Sequence, residues 1–242
     1  MRAPTAALIV ATLGLALLGT GELRAPVAAV PPSGQAAVPL RAALPDLAAA
    51  RLAVYLPDRL PAAPPGQSYL ITAHSTPGTY EVTVHFTNTP TPVNGNGMSS
   101  WSSYIGLVRG GPSAWVLHQA DTRDGVAITV PAGTPEPVRL PGGIVGQAYT
   151  SGAVLWREGG WRYAAYGDGL TQTLQTADSM ARMFLPTGNP VGPGTSGEVV
   201  RDFGADGGNS AVVWTAGADA YEVWGRDAAA FTLTRDLVRV RP

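Results

Sequence analysis

Three histidines, His74, His85 and His118, are the whole imidazole supply of this 242-residue chain, so any histidine-centred triad or metal site must be built from them. If a hairpin closes on a two-residue Pro77-Gly78 loop, His74 faces Glu81 and His85 faces Leu70, which keeps the two rings from sharing a metal. With no cysteine there is no thiol nucleophile, thiolate metal site, disulfide or acylated lipoprotein cysteine. The stretch Asp202-Phe-Gly-Ala-Asp206-Gly-Gly-Asn209 gathers oxygens but lacks the alternate acidic spacing and closing glutamate of a calcium loop. It reads as a turn, as does Asp121-Thr-Arg-Asp124-Gly125. No Gly-x-Ser-x-Gly elbow is present, and a phosphate loop ending in lysine cannot be built without lysine. Among the tryptophans, those in strands are expected in the core, whereas Trp101, set in a Gly/Asn/Ser loop, is the expected exposed aromatic. These residues predict no catalytic group, no cofactor and no metal, and leave binding as the expected chemistry.

Charge narrows the partners. All 16 basic residues are arginines, set against 17 acidic ones for a net charge of -1, so no basic field is available to neutralise nucleic-acid phosphates. Charged residues make up 14% of the chain, well under the roughly 25% usual for soluble domains. With 30 glycines, 22 prolines and 45% hydrophobic residues, a folded, loop-rich protein is expected. Arg2, the uncharged apolar run Ala6–Leu18 and the small residues Val27-Ala28-Ala29 together predict a signal peptide over 1–29. The apolar run of about 13 residues is shorter than the roughly 20 that span a bilayer. Export follows as an expectation, to the periplasm, the cell surface or the medium, with no membrane span left after cleavage. Residues 30–44 read as a Pro/Ala linker with no core of its own.

Strands dominate the rest. Tyr80, Val82, Val84 and Phe86 alternate with polar residues, the period-two signature of a half-buried strand, and pair with Ser68–Ser75. Thr87–Ser103 reads as a long surface loop. Short apolar runs at Tyr104–Val108, Ala114–His118, Val126–Val130, Ile144–Tyr149, Val154–Trp156 and Trp161–Tyr166 predict an antiparallel meander. Leu170, Leu174, Ala177, Ala181 and Phe184 recur at helical steps, with Thr171 as N-cap and Pro186 past the end. Trp156, Gly159, Tyr163 and Gly167 recur 58 residues on as Trp214, Gly217, Tyr221 and Gly225, which predicts a partial repeat of 153–184 within 187–242. With a three-residue Glu158-Gly159-Gly160 loop, Leu155 would stand opposite Tyr163 and Trp156 opposite Arg162, and by the repeat Val213 opposite Tyr221. Arg235–Arg241 would form a short closing helix, and Phe231–Thr234 reads as helix or strand alike.

Tyr55-Leu-Pro-Asp-Arg-Leu-Pro61 and Val154-Leu-Trp-Arg-Glu-Gly-Gly-Trp-Arg-Tyr163, followed by Gly169-Leu170-Thr171 and a helix, resemble bacterial envelope domains attached to anti-sigma factors and sporulation lipoproteins. That family is related to the lipoprotein carrier LolA and the anti-sigma regulator RseB. The resemblance covers about Tyr55 to Phe184 and implies an α+β fold, mainly antiparallel β. Its sheet would be a strongly curved half-barrel covered by a helix. The domain would occupy 45–186, with 187–242 an additional hairpin unit. It further implies a non-enzymatic binding or sensing module for a lipid, a lipopeptide or an envelope signalling protein. The expected groove would lie between helix and sheet and be lined by Val82, Val84, Phe86, Leu174 and Phe184. A carbohydrate- or wall-binding module and a secreted hydrolase are the rival readings.

The protein recovered after export is expected to begin at or near Val30. Its intact mass checks this, and a membrane-held species retaining Met1–Ala29 would overturn it.

Overall fold

In the computed structural model the described residues are 34–97, 104–111, 114, 127–186, 190–191, 195–203 and 208–242. The predicted signal peptide lies outside them. The stretch expected to be a linker does not behave as one: Ala36, Ala37, Leu40 and Ala43 are buried in the main core. Two short helices, α1 (Val38–Arg41) and α2 (Leu44–Leu47), each carry a proline in their first turn and point one leucine inward. Alanines without bulk between those leucines let the chain lie flat on the core, so its composition serves packing rather than flexibility. It leads into β1 (Val54–Pro57), all four residues of which are buried.

The large sheet follows. Strands β2 (Ser68–Thr76) and β3 (Thr79–Thr87) pair across Pro77-Gly78 in the expected register, His74 opposite Glu81 and His85 opposite Leu70. Then come β4 (Tyr104–Gly110), β5 (Glu136–Arg139), β6 (Val145–Tyr149), β7 (Ala153–Glu158) and β8 (Trp161–Gly167). Residues 127–130, expected to continue a strand, form none. Helix α3 (Leu170–Phe184) begins one residue before the expected N-cap; Gly169 holds that position and Thr173 donates its hydroxyl back to the Gly169 carbonyl at 2.9 Å. Strands β9 (Ser196–Phe203), β10 (Asn209–Ala216) and β11 (Asp219–Arg226), helix α4 (Ala229–Arg235) and β12 (Leu237–Val240) complete the chain. The closing segment thus reverses the expectation, with a helix over 229–235 and a strand after it.

Sheet order is β2-β3-β4-β11-β10-β9-β8-β7-β6-β5, antiparallel except for the β8–β9 pair, which α3 joins. The C-terminal hairpin is therefore no appended unit. Its strands form the middle of the sheet, between the halves contributed by β2–β4 and β5–β8. This follows from burial: β10 and β11 carry near-continuous apolar runs, the pattern of strands covered on both faces. Polar or irregular residues occupy the edges. On the β2 edge the Asn94 side chain accepts from the Ala73 N–H at 2.7 Å and donates to its carbonyl at 3.0 Å, imitating a further strand. On the β5 edge Pro137 removes a donor.

Both repeated hairpins close on two residues, not three. Trp156 stands opposite Tyr163 and Leu155 opposite Ala164, one step away from the expected register. Trp214 stands opposite Tyr221 and Val213 opposite Glu222, again one step away. The expected facing pairs are therefore wrong in both hairpins, although the two shifts are equal and residues 58 apart hold equivalent places in them. Gly159 and Gly217 each supply the positive φ, 56° and 66°, that opens the turn. In each pair the rings stack, at 5.0 Å for Trp156–Tyr163 and 5.5 Å for Trp214–Tyr221.

The helix-side core lies beneath α3, which packs on β7 and β8, and α4, which packs on β11 and β10. Phe184 and Phe231 meet edge-to-face at 5.5 Å and join the two helices. The buried face of α3 is Thr173, Thr176, Ala177, Met180, Ala181 and Phe184, with Leu174 on its flank. Strand β1 is hydrogen-bonded to the sheet through the Tyr80 side chain. The fully buried Tyr80 hydroxyl accepts from the Tyr55 N–H at 3.0 Å and donates to the Tyr55 carbonyl at 3.1 Å. Burial pushes this hydroxyl far above its ordinary pKa. The Tyr80 ring has room because position 110 is glycine; a Cβ there would overlap it and come within 2.8 Å of Tyr221.

Replacing Tyr80 by Phe strands two buried backbone groups and is expected to cost about 2–5 kcal/mol, each unmet group being worth about 1–3 kcal/mol. Urea unfolding measures it; a loss under about 0.5 kcal/mol, the scale of a neutral surface substitution, would show that water replaces the hydroxyl. Gly110→Ala is expected to destabilise as well, through displacement of the same ring.

Candidate functional site

The five groove residues expected from sequence are not brought together. Val82 and Val84 are buried on β3 and Phe86 lies at its end against Tyr69, 5.8 Å away. Leu174 and Phe184 belong to α3, which packs on β7 and β8, with β4, β11, β10 and β9 intervening in the sheet. Between α3 and the sheet stand Trp156, Tyr163, Met180 and Phe184, all buried, with Tyr163 and Phe184 rings 5.9 Å apart. Trp101 lies outside the described residues. The four tryptophans within them, Trp156, Trp161, Trp214 and Trp224, are buried and offer no exposed aromatic platform.

What the chain does assemble is on the opposite face. Strand alternation turns Leu155, Arg157, Arg162 and Glu198 away from α3, and pairing sets charged residues in one row across the sheet. From β2 to β7 the row reads His74, Glu81, Arg109, Glu222, Val213, Glu198, Arg162 and Arg157. Val213 is its centre, with a glutamate and then an arginine on either side. Both glutamates are fully buried, and each is in an ion pair, Glu222 with Arg109 and Glu198 with Arg162. The row as a whole is invisible to residue spacing because its eight members come from eight strands, and the order of those strands in the sheet is not their order in the chain. Two charged pairs lie inside single hairpins: His74–Glu81, in the expected register, and Arg157–Arg162, which the two-residue turn sets opposite each other.

Two clefts open along this row. One, of about 280 Å³, is bordered by His74, Thr76, Glu81 and Arg109. The other, of about 330 Å³, is bordered by Ile128, Val130, Val145, Gln147, Arg157 and Arg162. In the second, Arg157 and Arg162 are direct cross-strand partners, a like-charge arrangement that costs stability unless something neutralises it. Arg162 has Glu198; Arg157 is exposed and enters no ion pair among the described residues. Beside them Val130 and Val145 are 70% and 62% exposed, unusual for valines of this size in a chain that buries most others. The second hairpin repeats the core tryptophan and tyrosine but places Thr215 opposite Ala220 at the equivalent positions, so the arginine pair is particular to the first.

A small separate cluster, Tyr104, Ala211 and Trp224, lies near His85. His85 meets the Tyr104 ring edge-on at 4.8 Å, and burial holds its pKa below the ordinary value. Among the described residues no three His, Cys, Asp or Glu side chains come together as a metal site. No helix among them is long and apolar enough to cross a membrane.

Two outcomes are expected. Arg109→Ala removes the guanidinium paired with the buried Glu222 carboxylate and should cost about 3–5 kcal/mol, whereas Arg109→Met with Glu222→Leu should recover most of that in urea unfolding. If the double variant is no more stable than the single one, the ion pair is not what the burial requires. Secondly, the unfolded chain protonates His85 before the folded one does. Stability should therefore be full above the ordinary histidine value of 6.5 and fall as pH drops below it. His85→Phe should flatten that part of the pH profile, and an unchanged profile would exclude His85 as its source. Comparison with protein-family models, with curated proteins and with solved structures gives no match to this chain, and the functional reading rests on the geometry above.

Proposed function

We propose that the protein is an exported, non-enzymatic binding or sensing module of the cell envelope that holds an amphiphile with an anionic end, such as a lipid or lipopeptide, in the cleft along β6, β7 and β8. The carrying observation is Arg157 facing Arg162 beside the exposed Val130 and Val145. The buried Glu198 carboxylate pairs with Arg162, and a ligand anion would supply the negative charge for Arg157. The two valines would take the adjoining apolar stem, which removes their surface from water. In this reading the long sheet is the curved half-barrel of the resembling family and α3 its covering helix. The ligand lies on the far face, because side chains fill the space beneath α3.

The test is titration of the purified protein with a saturated fatty acid and with its methyl ester. Saturable binding of the acid is expected, weaker for the uncharged ester. Arg157→Gln should loosen the acid about tenfold, the loss expected for one charge-assisted hydrogen bond, and Val145→Asp should do more. No saturable binding of the acid, or equal binding by Arg157→Gln, would overturn the proposal.

A further inference from the structure

The arginines are not spread evenly. Away from β6–β8 a cleft of about 850 Å³ opens beside β12, bordered by Gly34, Arg41, Leu44, Leu52, Arg239 and Arg241. Arg239 and Arg241 alternate with the buried Val238 and Val240, so both lie on the exposed side of this strand and its extension. Arg41 is held at the rim by its Nε, which donates to the Ala36 carbonyl at 3.0 Å. The Arg239 carbonyl accepts from the Gly34 N–H at 3.1 Å and ties the entering chain to the same wall. Among the described residues no acidic side chain borders the cleft. None of the three guanidiniums is in an ion pair among the described residues, although Asp219 acts on the same tyrosine hydroxyls, Tyr55 and Tyr221, as Arg239 does. In a chain of net charge -1, three unpaired guanidiniums around one concavity are a local excess that calls for an anion.

We infer that this cleft binds the phosphate of a phosphomonoester. A guanidinium fork grips tetrahedral oxyanions through paired hydrogen bonds, and a doubly charged phosphate can engage two or three forks at once. A carboxylate offers one charge and two oxygens, too little for three. The volume falls within the roughly 300–1,000 Å³ of small-molecule sites, and Leu44 and Leu52 offer an apolar wall to the rest of the ligand. This site shares no residue with the Arg157 cleft, so either can stand without the other.

Calorimetric titration with inorganic phosphate, glycerol phosphate and acetate tests the inference. Both phosphates should bind saturably and acetate much more weakly. Arg239→Gln with Arg241→Gln should weaken the phosphates by about tenfold or more, as loss of charge-assisted bonds requires, whereas Arg157→Gln should leave them unchanged. Co-sedimentation with phosphatidylcholine vesicles, with and without phosphatidic acid, distinguishes a lipid headgroup from a soluble phosphate as the source. If the double variant fails to fold, Arg41→Gln serves in its place. Absence of saturable phosphate binding, acetate binding as tight as phosphate, or unchanged affinity in a folded arginine variant would overturn it.

Discussion

One phenol hydroxyl fixes how the outer layer of this protein meets its sheet. Among the described residues strand β1 has only β12 as a strand neighbour, and Tyr55 turns its backbone groups on the other side toward the core. Buried N–H and carbonyl groups must be met, and Tyr80 meets both of those on Tyr55 with a single oxygen. Once Tyr55 is fixed, its ring is pinned edge-on against Tyr221 at 4.7 Å and against Trp214 at 6.2 Å. The second repeated hairpin is thereby packed under β1 while the first is packed under α3. The bareness of Gly110 is the counterpart of this bond, since any side chain would push Tyr80 away.

The two hairpins are alike on one face and differ on the other. Tryptophan over tyrosine, and a glycine at the turn, recur because each solves the same problem, a broad flat stack beneath a covering element. The residues on the other face have no such duty. There the first hairpin carries Arg157 and Arg162 and the second carries Thr215 and Ala220. In the first hairpin, charge stands at positions that this packing leaves open.

Local patterns were readable. The β2–β3 register, helix α3 to within a residue and the burial of the strand tryptophans follow from periodicity and turn chemistry. Two kinds of feature were not. Small shifts depend on one backbone angle: the positive φ at Gly159 shortens the turn by a residue and changes every facing pair in the hairpin. Sheet order depends on long-range pairing that no window of sequence contains. Hence the placement of β9–β11 at the centre, and with it the alignment of Arg109, Glu222, Glu198 and Arg162, had no local signal. The described part of the expected linker, 34–44, misleads for a compositional reason, because proline and alanine suit a thin layer on a core as well as a tether.

The central place of β9–β11 has a kinetic meaning. During synthesis β2–β4 and β5–β8 emerge first, and the inner edges of β4 and β8 have no partners until residues 196–226 arrive between them. Open edges of that length invite pairing with other chains. Pairing β11 with β4 closes a loop of more than 100 residues, so the order of events is set by a costly long-range step rather than by local hairpins. A chain wired in this way keeps its sheet incomplete until residues 196–226 have been made, and the two inner edges remain open to wrong partners until the middle strands dock.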